Sequence, residues 1–204
     1  MHPPTRLPAD FYQNDDVVAV ARDLLGNYLV TCFDGQVTSG RIVETEAYRA
    51  PEDKACHAYG NRRTKRTEVM FSAGGVAYIY LCYGIHHLFN VVTGPEGSAH
   101  AVLIRAVEPA DNIPLMLERR KMQNLKPQLT AGPGVMSMAL GIRTDWTGHD
   151  MTAPDSRIWI EDRNGSPNEH GIASGPRIGV GYAGECADWP WRFWIPGSPW
   201  VSKG

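Results

Sequence analysis

From Val76 to Pro109 the chain runs as VAYIYLCY, a break at Gly84, HHLFNVVT, a Gly-Pro-Glu-Gly turn, and HAVLIRAVEP. β-Branched and aromatic residues dominate all three runs, which is what a pleated, half-buried surface selects. Connections this short join antiparallel neighbours, because a parallel crossover needs a dozen or more residues. A sheet of consecutive hairpins is the frame into which the rest must fit.

The flanking segments add strands and a few helices. Asn14 and Asp15 are placed to cap a helix carrying Val17, Val18, Val20, Leu24 and Leu25, with Gly26 as its stop. Residues 27–33 read as a strand, Asp34-Gly35 as a tight turn, and 36–48 as the returning strand. Asp111 is the expected cap of a helix through Leu125, and a short helix follows Gly132-Pro133-Gly134. Short strands are expected at 158–161, 177–182 and 192–195, and a long polar loop at 49–73. The chain is read as one α+β domain over residues 1–204, with loose ends at 1–8 and 203–204.

A chain of 204 residues is long enough to bury roughly 70% of its unfolded surface, so it needs no disulfide or metal staple. With 43% apolar and 21% charged residues it has ordinary globular composition. No apolar run approaches the ~18 residues of a membrane span, and the first residues lack the apolar stretch of a secretion signal. A cytoplasmic chain with no membrane partner is the expectation. Cys32, Cys56, Cys82 and Cys186 fall at no metal-ligand spacing and read as reduced thiols. Asn164-Gly165-Ser166 fits a glycosylation pattern that has no meaning inside the cell. No metal or other cofactor is implied.

The net charge of −2 by itself disfavours nucleic acid, but its distribution does not. Between Arg41 and Arg66 seven Lys/Arg stand against four Asp/Glu, with the run Arg62-Arg63-Thr64-Lys65-Arg66 at its end. One basic face on a near-neutral protein suffices to meet phosphate. The GxGxxG pattern at residues 179–184 is a decoy. A dinucleotide fold needs a helix after it and an acidic residue about 20 positions on, and ECADWPWRFW provides neither.

Along 41–48, Val43, Thr45 and Ala47 alternate with Glu44, Glu46 and Tyr48. Two carboxylates and a phenol on one face are ordinary against water and call for a purpose against a core. Tyr83 sits beside Gly84 where the next hairpin turns, and such a residue cannot serve the sheet's core. Apolar or aromatic wedges at protruding tips are what minor-groove proteins insert between base steps.

IVETEAYRAPEDKACHAYGNRRTKR, then MF…YIYLCYGIHHLFNVV, VLIRAVEP, RIGVGYAGE and RF…GSPWVS together resemble the alkyladenine (3-methyladenine) DNA glycosylase family. The resemblance runs from about Leu7 to Ser202. It implies a curved, mostly antiparallel sheet whose protruding hairpin enters the DNA minor groove. The partner it implies is double-stranded DNA containing damaged purines, met by a monomer. The reaction it implies is extrusion of the purine and hydrolysis of its N-glycosidic bond, leaving an abasic site. By the same resemblance Glu46 is the general base on water, with Arg105 and the backbone carbonyl of Ile178 as further water contacts. Tyr48, His57 and Tyr80 match the slot that sandwiches the base, Asn90 the residue that crowds a guanine amino group, and Tyr83 the intercalating side chain. Arg62, Arg63, Lys65 and Arg66 are candidate contacts to the DNA backbone.

Three departures stand out. Val135-Met136 replaces the family's frequent Lys-Leu, so one phosphate contact is expected to be missing. Tyr182 stands where other members have histidine. Trp189, Trp191 and Trp194 make the end of the chain unusually aromatic, with lesion preference as the property at stake. The rival readings are a non-catalytic nucleic-acid module of the same architecture and a sugar or nucleoside hydrolase pairing Glu44 with Glu46. The first has no need of Glu46 and Arg105, and the second no use for Tyr83 or the basic run.

Overall fold

The structure is a computed structural model that describes residues 5–163 and 171–203. The Asn164-Gly165-Ser166 triplet lies outside these described residues. Among the described residues nine strands form one open antiparallel sheet: β1 (Thr5–Arg6), β2 (Tyr28–Phe33), β3 (Gln36–Arg49), β4 (Ala77–Cys82), β5 (His86–Thr93), β6 (His100–Pro109), β7 (Ile158–Asp162), β8 (Ala173–Gly175) and β9 (Arg192–Trp194). The main order is β1-β7-β2-β3-β6-β5-β4, with β9 alongside β3 and β8 alongside β9. Among the described residues four short α-helices flank it: α1 (Ala9–Tyr12), α2 (Val17–Asp23), α3 (Ile113–Arg119) and α4 (Pro133–Leu140). This is the α+β architecture expected from the sequence.

The strand β3 is the spine. Its first half pairs β2 through a turn in which Asp34 (φ 52°) and Gly35 (φ 75°) are both left-handed, the signs a two-residue hairpin needs. Its second half pairs β9 on that same edge, and β6 runs along the other. Two irregularities interrupt the β3–β6 ladder. Ile42 faces Val107, Glu44 faces Ala106 and Thr45 faces Ile104, so Val43 is the extra residue on β3 and Arg105 the extra residue on β6. Bulges of this kind re-aim side chains next to active sites.

Thr45 turns to the helical side, where its hydroxyl donates to the Ala21 carbonyl of α2 at 2.7 Å. There it joins a core that includes Tyr12, Leu24, Ile42, Phe89, Ile104 and Phe193. The opposite face, carrying Glu44, Glu46 and Tyr48, is covered by the 49–73 segment and the end of the chain. That long loop is ordered by its own contacts. Thr67 Oγ1 donates to the Arg62 carbonyl at 2.8 Å, and Met70 and Phe71 are buried beside Tyr78.

Several local expectations are corrected. The cap of α2 is Asp16, whose Oδ1 accepts from the amides of Val18 and Ala19, and the helix ends at Asp23. Asp111 does not cap α3. Its carboxylate is held by the Ser39 hydroxyl and by Arg163 at 2.6 Å, while Asn112 takes the N-cap place with φ 56°. The helix stops at Arg119, well short of Leu125. Residues 177–182 are not a strand either. Arg177 is pulled inward by Asp53, Gly179 is left-handed at φ 77°, and β8 lies earlier.

Candidate active site

Beside the hairpin β4–β5 lies a cavity of about 510 Å³ lined by residues distant in the chain. Tyr48, His57, Tyr80, Asn90, Arg105 and Ile178 all border it, and Tyr83 stands at its rim. Among the described residues, the resemblance's base-binding and water-binding candidates thus converge on one place. Glu46 sits just beneath, fully buried.

Every polar contact of Glu46 is with another candidate. Its Oε1 accepts the Ile178 amide N–H at 2.7 Å and lies 3.3 Å from Arg105 Nη1. Its Oε2 accepts the Tyr48 hydroxyl at 2.7 Å. Period-two alternation puts Glu46 and Tyr48 on one face, which makes this i, i+2 bond possible. Burial first, and then the neighbouring Glu46, hold the Tyr48 phenol well above its usual range, so it stays a donor. At Ile178 the group in contact with the carboxylate is the amide N–H.

Glu44 completes the arrangement from below. Its Oε1 accepts from Arg105 Nε (3.0 Å), Arg192 Nε (2.7 Å) and the Ser202 hydroxyl (2.9 Å), and its Oε2 from the Ser202 amide (2.7 Å). Burial works against the Arg105 charge, but Glu46 and then Glu44 outweigh it and raise the guanidinium's pKa. A buried carboxylate engaged by four donors, two of them guanidinium N–H groups, serves to hold Arg105 in place. The sequence showed Glu44 on the right face without revealing its partners, because Arg192 and Ser202 come from the far end of the chain.

A second buried pair was not foreseen. Arg177 donates to both oxygens of Asp53 (2.5 and 2.8 Å), to the Ala47 carbonyl and to the Cys186 carbonyl. Both side chains are completely buried. The pair anchors the residue immediately before Ile178 and so aims the Ile178 amide at Glu46. Its guanidinium also lies 4.8 Å over the Tyr48 ring and 5.3 Å over Trp191. Trp189, Trp191 and Trp194 therefore pack on arginines and on one another, and none of them lines the cavity. Tyr182 does line it, and Met136 is a core residue.

The aromatic slot is built on β4. His57 Nδ1 meets the Tyr78 hydroxyl at 2.7 Å, and the His57 ring stands edge-on to Tyr80 at 4.6 Å. Asn90, on the facing strand, donates Nδ2 to the carbonyls of Tyr78 and Leu88, which leaves Oδ1 as its uncommitted atom. At the tip, Tyr83 (φ 51°) and Gly84 (φ 72°) turn the chain, and the Ile85 amide donates to the Cys82 carbonyl at 3.2 Å. The Tyr83 side chain projects outward at 91% exposure, flanked by exposed Leu81 and Ile85.

The basic run divides. Arg66 faces the cavity, with Nη2 3.2 Å from His57 Nε2 and its guanidinium 4.7 Å over Tyr80. Arg63 is spent on Glu68 at 2.6 Å and on the Phe71 face. Arg62 and Lys65 are exposed and, among the described residues, form no ion pair. Two of the four expected cations are thus free to meet a solvent-borne anion.

A profile of the family described as methylpurine-DNA glycosylase matches residues 10–199. A protein of Chlamydia abortus is 51% identical over 189 residues, 92% of this chain and 96% of the relative. One from Bacillus mycoides is 47% identical over 202 residues, covering 96% and 98% of the two chains. One from Bacillus cytotoxicus is 44% identical over 206 residues, covering 97% and 100%. All three carry the provisional name 3-methyladenine DNA glycosylase.

Proposed function

This chain belongs to the methylpurine-DNA glycosylase family, and we propose that it releases damaged purines from duplex DNA by hydrolysis, with Glu46 as the base. The proposed substrates are 3-methyladenine, 7-methylguanine, hypoxanthine and ethenoadenine. The whole chain acts as one domain and as a monomer, needs no cofactor, and works in the bacterial cytoplasm where the DNA lies. The observation that carries the reading is the buried Glu46 carboxylate, wired to Tyr48, Arg105 and Ile178 directly under an aromatic cavity.

A base inside a duplex cannot be attacked at its sugar carbon, so the nucleotide is rotated out at a cost of a few kcal/mol of lost stacking. Tyr83 offsets part of this by filling the vacated step. The extruded purine lies among Tyr48, His57 and Tyr80. An N3- or N7-alkylated base is a cation, which electron-rich rings attract and which leaves readily. Asn90 limits the space beside the base's 2-position; its free Oδ1 would accept from an amino group, so its exclusion of guanine is one of room.

Positive charge grows on the sugar as the glycosidic bond lengthens. The Glu46 carboxylate stabilises that charge and takes a proton from the water whose oxygen bonds to C1′. Arg105 and the Ile178 backbone fix where this water sits. Among the described residues no lysine lines the cavity as a nucleophile, so the proposed product is an abasic site in an uncut strand.

The deciding experiment is base release from duplexes each carrying one defined lesion. Glu46→Gln keeps the shape and removes the base, and its release rate should fall by about 10²–10⁴ while lesion-DNA binding persists. Release within threefold of the parent would assign the chemistry elsewhere.

A further inference from the structure

A second concavity, larger than the cavity above Glu46, lies elsewhere. A groove of about 900 Å³ lies on the far side of the β4–β5 hairpin and shares no lining residue with the cavity above Glu46. The hairpin is the wall between them. It gives Leu81, Cys82 and Tyr83 to the cavity and Ile85 and His87 to the groove.

Three arginines line this groove, Arg119, Arg143 and Arg157, against two carboxylates, Asp34 and Asp145. Arg119 is committed to the Thr38 hydroxyl (3.3 Å) and the Ala139 carbonyl (3.1 Å). Arg143 and Arg157 are exposed and form no ion pair among the described residues. Their backbone is nonetheless firmly placed: the Arg157 amide donates to His149 Nε2 at 3.0 Å and its carbonyl accepts the Cys32 amide at 2.9 Å, while the segment after Arg143 is tied to the hairpin. The Thr144 amide donates to His87 Nδ1 at 3.1 Å, Thr147 Oγ1 donates to the Ile79 carbonyl at 2.6 Å, and Trp146 stacks on Phe33 with ring centres 4.9 Å apart. Gly134 of α4 lies so close to the hairpin that a Cβ there would sit 2.9 Å from the His86 ring. Two unpaired cations, Arg143 on a segment clamped to the wedge and Arg157 across the groove beside β2, are poised for a ligand that also touches the wedge.

A side chain entering the minor groove, only about 6 Å wide, has one DNA strand on either side of it. The strand that gives up its nucleotide lies on the cavity side. The other strand must lie on the opposite side of the hairpin, over the groove. We propose that this groove seats the undamaged strand, with Arg143 and Arg157 on its phosphates. The inference rests on the glycosylase reading above, since it takes its orientation from Tyr83 as the wedge. Contacts to phosphate carry no sequence information, which suits an enzyme that finds lesions in any context.

The test pairs Arg143→Gln/Arg157→Gln with duplexes carrying one hypoxanthine, in which phosphates near the lesion are replaced by neutral methylphosphonates in one strand at a time. The double variant should bind the unmodified duplex roughly tenfold more weakly near 0.1 M salt, and its log–log salt slope should be shallower by about 1.8, two phosphates at 0.9 each. Neutralising the undamaged strand should weaken the parent and leave the double variant little changed; neutralising the lesion strand should weaken both. Arg143→Lys/Arg157→Lys should retain most of the affinity. Parental binding by the Gln variant, or losses that simply add with those of the undamaged strand, would overturn the assignment. Base release by the parent from the same unmodified duplex is measured alongside. Strand-specific coupling without release would sink the glycosylase reading and leave the groove standing; release without coupling would do the reverse.

Discussion

Arg66 Nη2 lies 3.2 Å from His57 Nε2, and a guanidinium only donates. Nε2 is therefore the bare nitrogen, and Nδ1 carries the proton that meets the Tyr78 hydroxyl at 2.7 Å. Burial first, and Arg66 second, push the His57 pKa down to about 4. Arg66→Ala should raise that value while leaving it below the ordinary one, because the larger cause remains. Histidine NMR titration reads this directly, and an unchanged pKa would detach Arg66 from the ring.

The same shift makes a stability prediction. Unfolded, His57 takes up a proton near pH 6.5, whereas in the fold it does so only near pH 4. The unfolded chain thus binds the extra proton between these values, so the contribution is intact above about pH 6.5 and is lost as the pH falls toward 4. Replacing His57 with Gln should flatten the fall in denaturation midpoint across that window. An identical pH profile in the variant would refute the assignment.

Asp53 and Arg177 are both fully buried, and removing one partner of such a pair strands the other's charge. Asp53→Ala should cost about 3–5 kcal/mol in chemical denaturation and should slow base release through the misplaced Ile178 amide. A loss under about 1 kcal/mol would show that the pair is not what holds that loop.

Tyr83 and Asn90 should fail in different ways. Tyr83→Ala removes the wedge for every lesion, lowering excision of hypoxanthine and ethenoadenine together by up to the ~1–3 kcal/mol of a stacking contact. Asn90→Ala opens space in the cavity and should raise excision of guanine-derived bases, 7-methylguanine included, while changing adenine-derived ones less. Rates measured on a lesion panel decide it, and a uniform loss in the Asn90 variant would reverse the roles.

A further variant at the tip separates function from fold. Tyr83 holds φ 51°, a conformation that costs a non-glycine residue roughly 1–2 kcal/mol. Tyr83→Gly should therefore raise the unfolding midpoint while reducing base release. Loss of both would mean that the ring also supports the hairpin.

How far the sequence could be read depended on how local each signal was. The hairpins were legible because period-two patterning and Asp-Gly or Gly turns act over a few residues, and β2 through β6 came out close to their observed bounds. The convergence of Glu46, Tyr48, His57, Tyr80 and Arg105 was legible only through the family's blocks. Strand alternation alone could not say that the Glu44 and Glu46 face is buried. What escaped were pairings between distant segments: Asp53 with Arg177, Glu44 with Arg192 and Ser202, and Arg66 with His57. Pairings of this kind explain the local misreadings. Asp111 looked like a cap but was drawn to Arg163, and 177–182 looked like a strand but was drawn inward by Asp53.

The paired irregularity between β3 and β6 has an effect beyond aiming Arg105. A single inserted residue in a ladder turns every later side chain to the opposite face. Here Val43 adds one step and Arg105 returns it, so the distances along the two strands from Ile42–Val107 to Thr45–Ile104 are equal. The disturbance is spent within three residues of the ladder, and beyond it the two strands are again in step. A lone deletion at either position would leave one step unreturned and put the two strands out of register by one residue beyond it. Changes of length at this spot are therefore tolerable only in compensating pairs, whereas changes of side chain can be taken one at a time.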